Sequence, residues 1–426
     1  MWIADRQPRH GADVHHESPS VTADSIAPLD VTQPWIAAAG VVLIASSFDI
    51  DFGVTVGLVV AVALMPLWWR HARTYRGFTL IAALVAISAL SSVWLTASRA
   101  GDHEWSPAWS VDVVAGLLTI AAGTGYILWT RRWLQPWLVG ALFGVGMLLA
   151  IRPGEGMFAE NPWRFGFSVP VTVLTLALAS RAKHRWPEML VLVGLAVLSA
   201  VNGGRSSSAI MILVLLLVLW QARRPTGRSW FATLRTAAFL AATAATTYFI
   251  GQAAILEGLL GEGARERTEL QITYSGSLIT GGRPEIGAFS ALLFRFPFGF
   301  GGGTAPAAGE IHVAKEGMAA LNYDPNNGYV ERFMFGNGFE LHSLAGDLWA
   351  WCGLPGLLLA VTLAVLLVLH LVRRLNSRTL SALLTFLVVK SLWNIFFSPF
   401  ASSLTVLVIA LGLLLVVRES ATHKEA

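Results

Sequence analysis

What most limits the fold of this chain is the recurrence of long apolar runs bounded by short charged clusters. An α-helix of roughly 20 apolar residues crosses a hydrocarbon core of about 30 Å while satisfying its own backbone polar groups. Twelve such runs can be read, at 34–50, 53–69, 77–96, 110–130, 133–151, 165–180, 187–202, 207–222, 229–250, 343–371, 379–397 and 401–417. Several are shorter than a full crossing. The closest pair, 187–202 and 207–222, is joined only by Asn202 to Ser206. It reads as a tight helical hairpin, with a broken helix dipping into the bilayer as the alternative. Charged residues make up 13% of the chain, against about 25% in soluble proteins, and the seventeen Trp suit aromatic belts at a membrane interface. The predicted fold class is all-α: a polytopic integral membrane protein with about 12 transmembrane helices and a large extracytoplasmic loop after helix 9.

The basic residues orient this arrangement. With the N-terminus in the cytoplasm, five short connections on that side carry fourteen Lys or Arg: Arg70, Arg73 and Arg76; Arg131 and Arg132; Arg181, Lys183 and Arg185; Arg223, Arg224 and Arg228; Arg373, Arg374 and Arg378. The opposite short connections carry only Arg99, Arg152, Arg164 and Arg205. This positive-inside pattern places both termini in the cytoplasm and the long loop outside. The predicted organisation is a disordered cytoplasmic tail at 1–33, helices one to nine at 34–250, an extracytoplasmic loop with short helices at 251–341, helices ten to twelve at 342–417 and a cytoplasmic tail at 418–426. The first residues lack a basic stretch leading into an apolar run, so a signal peptide is not predicted. The net charge of +4 is dispersed among membrane-flanking loops, which argues against a nucleic-acid partner. Cys352, the single cysteine, reads as a buried filler. Neither it nor the scattered His10, His15 and His16 predicts a metal site.

A loop of this length is not needed to span lipid, so chemistry is sought there and in the outer arginines. Arg164 sits in Glu160-Asn161-Pro162-Trp163-Arg164 before the sixth segment. Arg205 follows Asn202-Gly203-Gly204 and precedes a helix whose free N–H groups favour an anion. Arg283 lies in Thr280-Gly281-Gly282-Arg283-Pro284-Glu285, ahead of a short amphipathic helix over 288–295 and the glycine-rich turn Pro297 to Gly303. The bland alternative for Arg283 is a solvated charge paired with Glu285. His342 opens the tenth segment, and Asp347, five residues on, is predicted to face the bundle interior rather than the histidine. Glu340 is the acid placed nearer to His342 should the chain turn there. The widely spaced acids Glu269, Glu285, Glu331 and Glu340 offer no Mg²⁺ motif, so no metal or cofactor is predicted. Arginines that grip a phosphate or pyrophosphate, together with a histidine that handles a hydroxyl proton, suggest transfer from a lipid pyrophosphate carrier. Lys390 interrupts the eleventh segment and reads as a further cation for the donor phosphates.

Taken together, Ser277-Leu278-Ile279-Thr280-Gly281-Gly282-Arg283-Pro284-Glu285-Ile286, Pro297-Phe298-Gly299-Phe300-Gly301 and His342-Ser343-Leu344 running to Cys352-Gly353-Leu354-Pro355-Gly356 make the chain resemble the O-antigen ligase/polymerase superfamily of bacterial glycosyltransferases. Arg205 in Gly204-Arg205-Ser206 matches that family's earlier arginine. The resemblance implies an undecaprenyl-pyrophosphate-linked glycan donor, a glycan or glycolipid acceptor, and metal-independent, inverting transfer at the outer membrane face. It implies that Arg205 and Arg283 bind the pyrophosphate and that His342 activates or positions the acceptor hydroxyl. It also implies a helix interrupted at Gly353-Leu354-Pro355-Gly356. The chain departs from the family where an acid often precedes that break, here Trp349-Ala350-Trp351-Cys352. Two other classes compete: a transporter or flippase of lipid-linked saccharides, for which Lys390 is the best support, and a noncatalytic membrane scaffold. Matching broken helices in two halves, the mark of an inverted-repeat transporter, are not seen in the sequence.

Overall fold

A computed structural model of the protein describes residues 29–154, 156–223, 230–258, 261–336 and 338–418. The predicted tails at 1–28 and 419–426, the three N-terminal histidines and the basic connection 224–229 lie outside the described residues. The chain is built of helices. It begins with α1 (Leu29–Ser46), a two-stranded antiparallel ribbon of β1 (Asp49–Asp51) and β2 (Val54–Thr55), then α2 (Val56–Ala63), α3 (Met65–Ala72), α4 (Phe78–Arg99), α5 (Pro107–Thr130), α6 (Pro136–Leu149) and α7 (Ser168–Ala179). It continues through α8 (Trp186–Val201), α9 (Arg205–Arg223), α10 (Trp230–Leu256), α11 (Glu262–Ser275), α12 (Leu278–Gly282), α13 (Glu285–Arg295) and α14 (Ala308–Ala319). The last elements are α15 (Leu344–Asn376), α16 (Ala382–Phe397) and α17 (Phe400–Leu414).

Local chemistry sets many of the boundaries. Thr55, Ser343 and Ser381 each cap a helix, accepting from the N–H of Leu58, Gly346 and Leu384 at 3.1, 2.9 and 3.2 Å. Pro66 sits at the start of α3, where a missing N–H costs no helical hydrogen bond, so the apolar run 53–69 becomes two eight-residue helices meeting at Leu64. The ribbon at 49–55 and the start of α1 at Leu29, inside the predicted tail, are further differences from the sequence reading. The pair 187–202 and 207–222 is the tight hairpin α8–α9. Its turn is closed by Gly204 N–H donating to the Ser199 carbonyl at 2.7 Å, and Ser208 Oγ donates to that of Ala196 at 2.9 Å.

Among the described residues four helices are long and apolar enough to cross a membrane: Phe78–Arg99, Pro107–Thr130, Thr233–Leu256 and Leu344–Asn376. The other apolar helices, Thr32–Ser46 and Arg205–Gln221 among them, contribute stretches of 10–17 residues, short of the roughly 20 that a perpendicular crossing takes. The protein is therefore a helical membrane protein. Capping residues and prolines cut several of the twelve apolar runs, 53–69, 133–151, 165–180, 379–397 and 401–417, into shorter helices than hydropathy alone outlines.

The connections sort into two groups. In one, Arg76 N–H donates to the Val416 carbonyl and Arg418 N–H to that of Thr74, both at 2.9 Å. Arg131 Nη1 donates to the carbonyls of Gly412 and Leu415 at 3.0 and 2.8 Å, and Arg185 Nη2 reaches the Arg378 carbonyl at 3.2 Å. Arg131, one of the arginines that give the chain its charge asymmetry, thus also caps the C-terminal end of α17, where a cation is favoured. In the other group Trp105 pairs with Thr304 and Asn161 Nδ2 donates to the Asn202 carbonyl at 2.8 Å.

The long interruption is mostly helical. α10 runs on to Leu256, and α11 to α14 follow. α13 and α14 cross where glycines face each other: a Cβ on Gly287 would stand 2.1 Å from the Gly317 carbonyl oxygen, and one on Gly317 2.2 Å from that of Gly287. Around them Phe300, Phe339, Met318, Met334 and Trp349 are wholly or almost wholly buried, a second apolar core separate from that of the helical bundle. The loop is a folded unit seated on α15.

Candidate functional site

Where the loop meets the bundle, two chain breaks lock together. Pro355 has no N–H to continue the ladder of α15, and Gly353 adopts φ 63° and ψ −144°, outside the helical region. The break frees the Ala350 carbonyl, which accepts from Phe300 N–H at 2.7 Å and Gly301 N–H at 3.1 Å. Trp349 Nε1 donates to the Pro297 carbonyl at 3.1 Å, and Arg99 Nη2 to that of Gly299 at 3.3 Å. Gly302 and Gly303 donate to Ser92 Oγ and Thr96 Oγ1 of α4, each at 3.1 Å. The glycine turn is thus plugged into the kink of α15, and the helix interruption implied by the resemblance is present. Trp349, standing where an acid was looked for, is part of this joint.

Above the joint the chain enters α15 through His342, whose φ of +51° is one of few positive values at a non-glycine residue. Such a conformation is strained and persists only where surrounding structure imposes it. Asp347 imposes it from below. Fully buried, it accepts from Leu341 N–H at 2.6 Å with one oxygen and from Phe400 N–H at 2.8 Å with the other. The first bond fixes the residue before His342 and the second ties it to the start of α17, while Ser343 caps α15 on the other side. The predicted inward orientation of Asp347 is what the structure has.

His342 pairs with an acid, but not with Glu340. Tyr329 Oη donates to Glu285 Oε1 at 2.5 Å and lies 3.2 Å from His342 Nδ1; Glu285 Oε1 is itself 3.8 Å from that nitrogen. Glu285 opens α13 and is 6% exposed, and its Oε2 is buried without a partner among the described residues. Glu340 instead lies in range of Asp112, and burial, then that charge, pushes its carboxyl pKa up. Burial lowers the pKa of His342; the Glu285 charge opposes the shift and Arg283 adds to it, so the imidazole is neutral at neutral pH. Burial, the Glu285 charge and the bond to it push the Tyr329 hydroxyl pKa up, so this group stays protonated.

Arg283 lies between α12 and α13, its backbone (φ −144°, ψ 61°) kept out of the helical region by the following Pro284. Its guanidinium makes no ion pair with Glu285 and no hydrogen bond to any described residue. Arg283, Glu285, Ser290, His342 and Ser343 form the polar lip of a cavity of about 470 Å³. Its remaining wall is apolar. Leu357, Ala360, Val361, Ala364 and Val365, at helical spacing, present one face of α15, and Ile395, Phe396 and Phe397 close it from the end of α16. Half-exposed Leu358, Val361, Val365 and Phe396 extend this apolar surface outward.

The other predicted residues are not in the lining. Lys390 of α16 lies within electrostatic range of Arg283 and makes no hydrogen bond or ion pair to a described residue. Arg205 opens α9 and donates to Thr268 Oγ1 of α11 at 2.8 Å. α11 in turn backs α12, since a Cβ on Gly281 would stand 2.6 Å from the Gln271 carbonyl oxygen. Arg164 is exposed on a π-helical turn and lies over the ring of Phe165 at 4.8 Å. Asn161 beside it bonds the α8–α9 turn that carries Arg205. Arg283 and His342 therefore share one cavity, Lys390 lies near Arg283, and Arg205 and Arg164 occupy neighbouring segments beyond α11. Tyr329 and the pairing of Glu285 with the histidine escaped the sequence reading. Glu285 had a faint signal, an acid at the first position of a helix next to an arginine; Tyr329, thirteen residues before His342, had none. Among the described residues no group of three or more His, Cys, Asp or Glu could hold a metal ion. No known protein family and no curated protein matches the sequence.

Proposed function

We propose that the protein is a polytopic transferase that moves a glycan from undecaprenyl pyrophosphate to a sugar hydroxyl at the outer face of a bacterial cytoplasmic membrane, as the O-antigen ligase/polymerase resemblance implies. One observation carries the reading: a cavity whose polar lip bears an arginine unpaired among the described residues and a neutral histidine, and whose remaining wall is an apolar helix face. That gradient suits a ligand with an anionic head and a polyprenyl tail. A water-soluble donor would have no use for the apolar wall.

In this reading the tail lies along α15 and the end of α16, and the pyrophosphate sits at Arg283. A planar guanidinium with free donors grips two phosphate oxygens at once and neutralises charge as it develops on the leaving group. Lys390, with no internal counter-ion among the described residues, adds positive potential behind it. Arg205 supplies a second grip by exchanging its bond to Thr268 for a phosphate oxygen, and exposed Arg164 attracts the anion. The acceptor hydroxyl attacks the anomeric carbon opposite the pyrophosphate. The new C–O bond forms as the bond to the pyrophosphate oxygen breaks, inverting the centre, while His342 takes the hydroxyl proton. In the wider reading the twelve apolar runs are membrane-inserted, both termini are cytoplasmic and the α11–α14 unit faces outward.

The test is transfer from purified lipid-linked donor in proteoliposomes. His342→Ala should lower turnover by roughly 10²- to 10⁴-fold while the protein stays folded. Arg283→Lys should lose roughly tenfold or more, because lysine keeps the charge without the two-pronged geometry. Wild-type turnover in a well-folded His342→Ala protein would remove the assignment.

A further inference from the structure

We propose that Tyr329 and Glu285 are positioning residues that fix which nitrogen of His342 acts as the base, so that Nε2 receives the acceptor proton and Glu285 stabilises the imidazolium through the Tyr329 hydroxyl. The inference rests on the transferase reading above, and adds to it a tautomer and two residues.

The geometry leaves one consistent set of protons. A carboxylate only accepts, and the 2.5 Å contact between Tyr329 Oη and Glu285 Oε1 has the length of a hydroxyl donating to a charged oxygen. That uses the single Tyr329 proton. The Tyr329 oxygen, 3.2 Å from His342 Nδ1, then acts as acceptor, so Nδ1 carries the imidazole hydrogen. Nε2 keeps its lone pair, and it has no hydrogen-bond partner among the described residues. The ring planes of His342 and Tyr329 are inclined by 29° with centroids 5.8 Å apart, so packing holds the tyrosine against the imidazole face as well.

A second observation points the same way. Glu285 is buried with one oxygen unpartnered among the described residues, an arrangement that costs free energy unless a positive charge offsets it. Arg283 does not pair with it. The positive charge placed to offset it is the imidazolium that forms 3.8 Å away when Nε2 takes a proton. The order of events balances: the acceptor O–H proton moves to Nε2, the glycosidic C–O bond forms, and the bond to the lipid pyrophosphate breaks. The imidazolium then returns its proton to the departing pyrophosphate or to water, with Tyr329 protonated throughout. The ionisable groups facing His342 are Glu285 and Arg283 at the α12–α13 junction and Tyr329; Lys390 acts on it only from behind Arg283.

Two near-isosteric variants separate charge from position. Glu285→Gln keeps an oxygen for the Tyr329 hydroxyl and removes the charge, and Tyr329→Phe keeps the ring and removes the bridge. With the full-length protein in nanodiscs and ¹⁵N-labelled histidine, the His342 signals are identified by their loss in His342→Ala. Wild type should show Nδ1–H with unprotonated Nε2. Tyr329→Phe should lose this preference, and Glu285→Gln should titrate at lower pH because a neighbouring negative charge no longer favours the imidazolium. An Nε2–H tautomer in wild type, or a tautomer and midpoint unmoved in both variants, overturns the inference. In proteoliposomes both variants should lose roughly tenfold to a hundredfold in kcat with donor KM unchanged. The acid limb of the rate profile should move to lower pH in Glu285→Gln. A raised donor KM at unchanged kcat would place the pair in binding and would equally overturn it. The histidine spectra need no turnover, so failure of the transferase reading is told apart from failure of this one.

Discussion

His342 shows how much a single residue owes to those it does not resemble. Its positive φ is imposed by Asp347, which holds Leu341 on one side, and by the Ser343 cap on the other. Both oxygens of Asp347 accept backbone N–H groups, so it acts as an acceptor at each position. Asparagine has the same shape but would turn an NH₂ toward one of these donors. Asp347→Asn should therefore cost about 1–3 kcal/mol of stability and release His342 from its imposed conformation. Thermal unfolding in nanodiscs checks the first effect and reduced turnover at unchanged donor KM the second. An Asn variant with wild-type stability and rate would remove Asp347 from this role. His342 was legible in the sequence because it stands where hydropathy changes from loop to membrane, and Arg283 because it sits between two glycines and a proline ahead of a short amphipathic helix. The Tyr329 bridge from Glu285 was not: a hydroxyl thirteen residues upstream of the histidine reaches it only because the chain turns at 330–334 and folds back.

At the scale of elements, the joint between the glycine turn and the break in α15 decides where the site sits. Glycine is required at Gly353, where φ is +63° and a Cβ would stand 2.3 Å from the Phe298 carbonyl oxygen. It is required equally at Gly299, where φ is +76° and a Cβ would approach the Trp349 carbonyl oxygen to 2.5 Å. Gly353→Ala should combine backbone strain with overpacking against main chain, a loss of about 3 kcal/mol or more. Because α15 carries the apolar wall and is entered through His342, turnover should fall with stability. Gly194→Ala is the control: that glycine lies inside α8 with nothing within 4 Å of a built Cβ, so the change should be neutral or slightly stabilising. Equal melting of the two variants would show that the joint contributes nothing. The Gly-Leu-Pro-Gly motif announced this break, since proline removes a donor wherever it stands. The partner turn was legible only as glycines; that they plug into α15 depends on tertiary contacts with Ser92, Thr96 and Ala350 far away in sequence.

The whole molecule joins two kinds of order. Apolar runs and basic connections were readable because lipid and its surface act on local composition, and the arginine-rich connections at 74–76, 131 and 185 do meet the segments at 376–378 and 412–418 in the folded chain. Helix lengths were less readable, because caps and prolines end helices inside apolar runs. The proposed orientation makes a prediction of its own. Cys352 is fully buried, so the native chain should be silent to water-soluble thiol reagents and single cysteines can be placed in an otherwise wild-type background. Glu316→Cys, exposed on α14, should be modified by a membrane-impermeant maleimide added to intact spheroplasts. Arg73→Cys and Ser377→Cys, exposed among the basic connections, should react only after permeabilisation. The candidate site would then open on the side where a flipped lipid-linked glycan waits. Labelling of Ser377→Cys in intact spheroplasts, with Glu316→Cys protected, would invert the molecule and place Arg283 and His342 on the cytoplasmic side, where the proposed transfer has no donor.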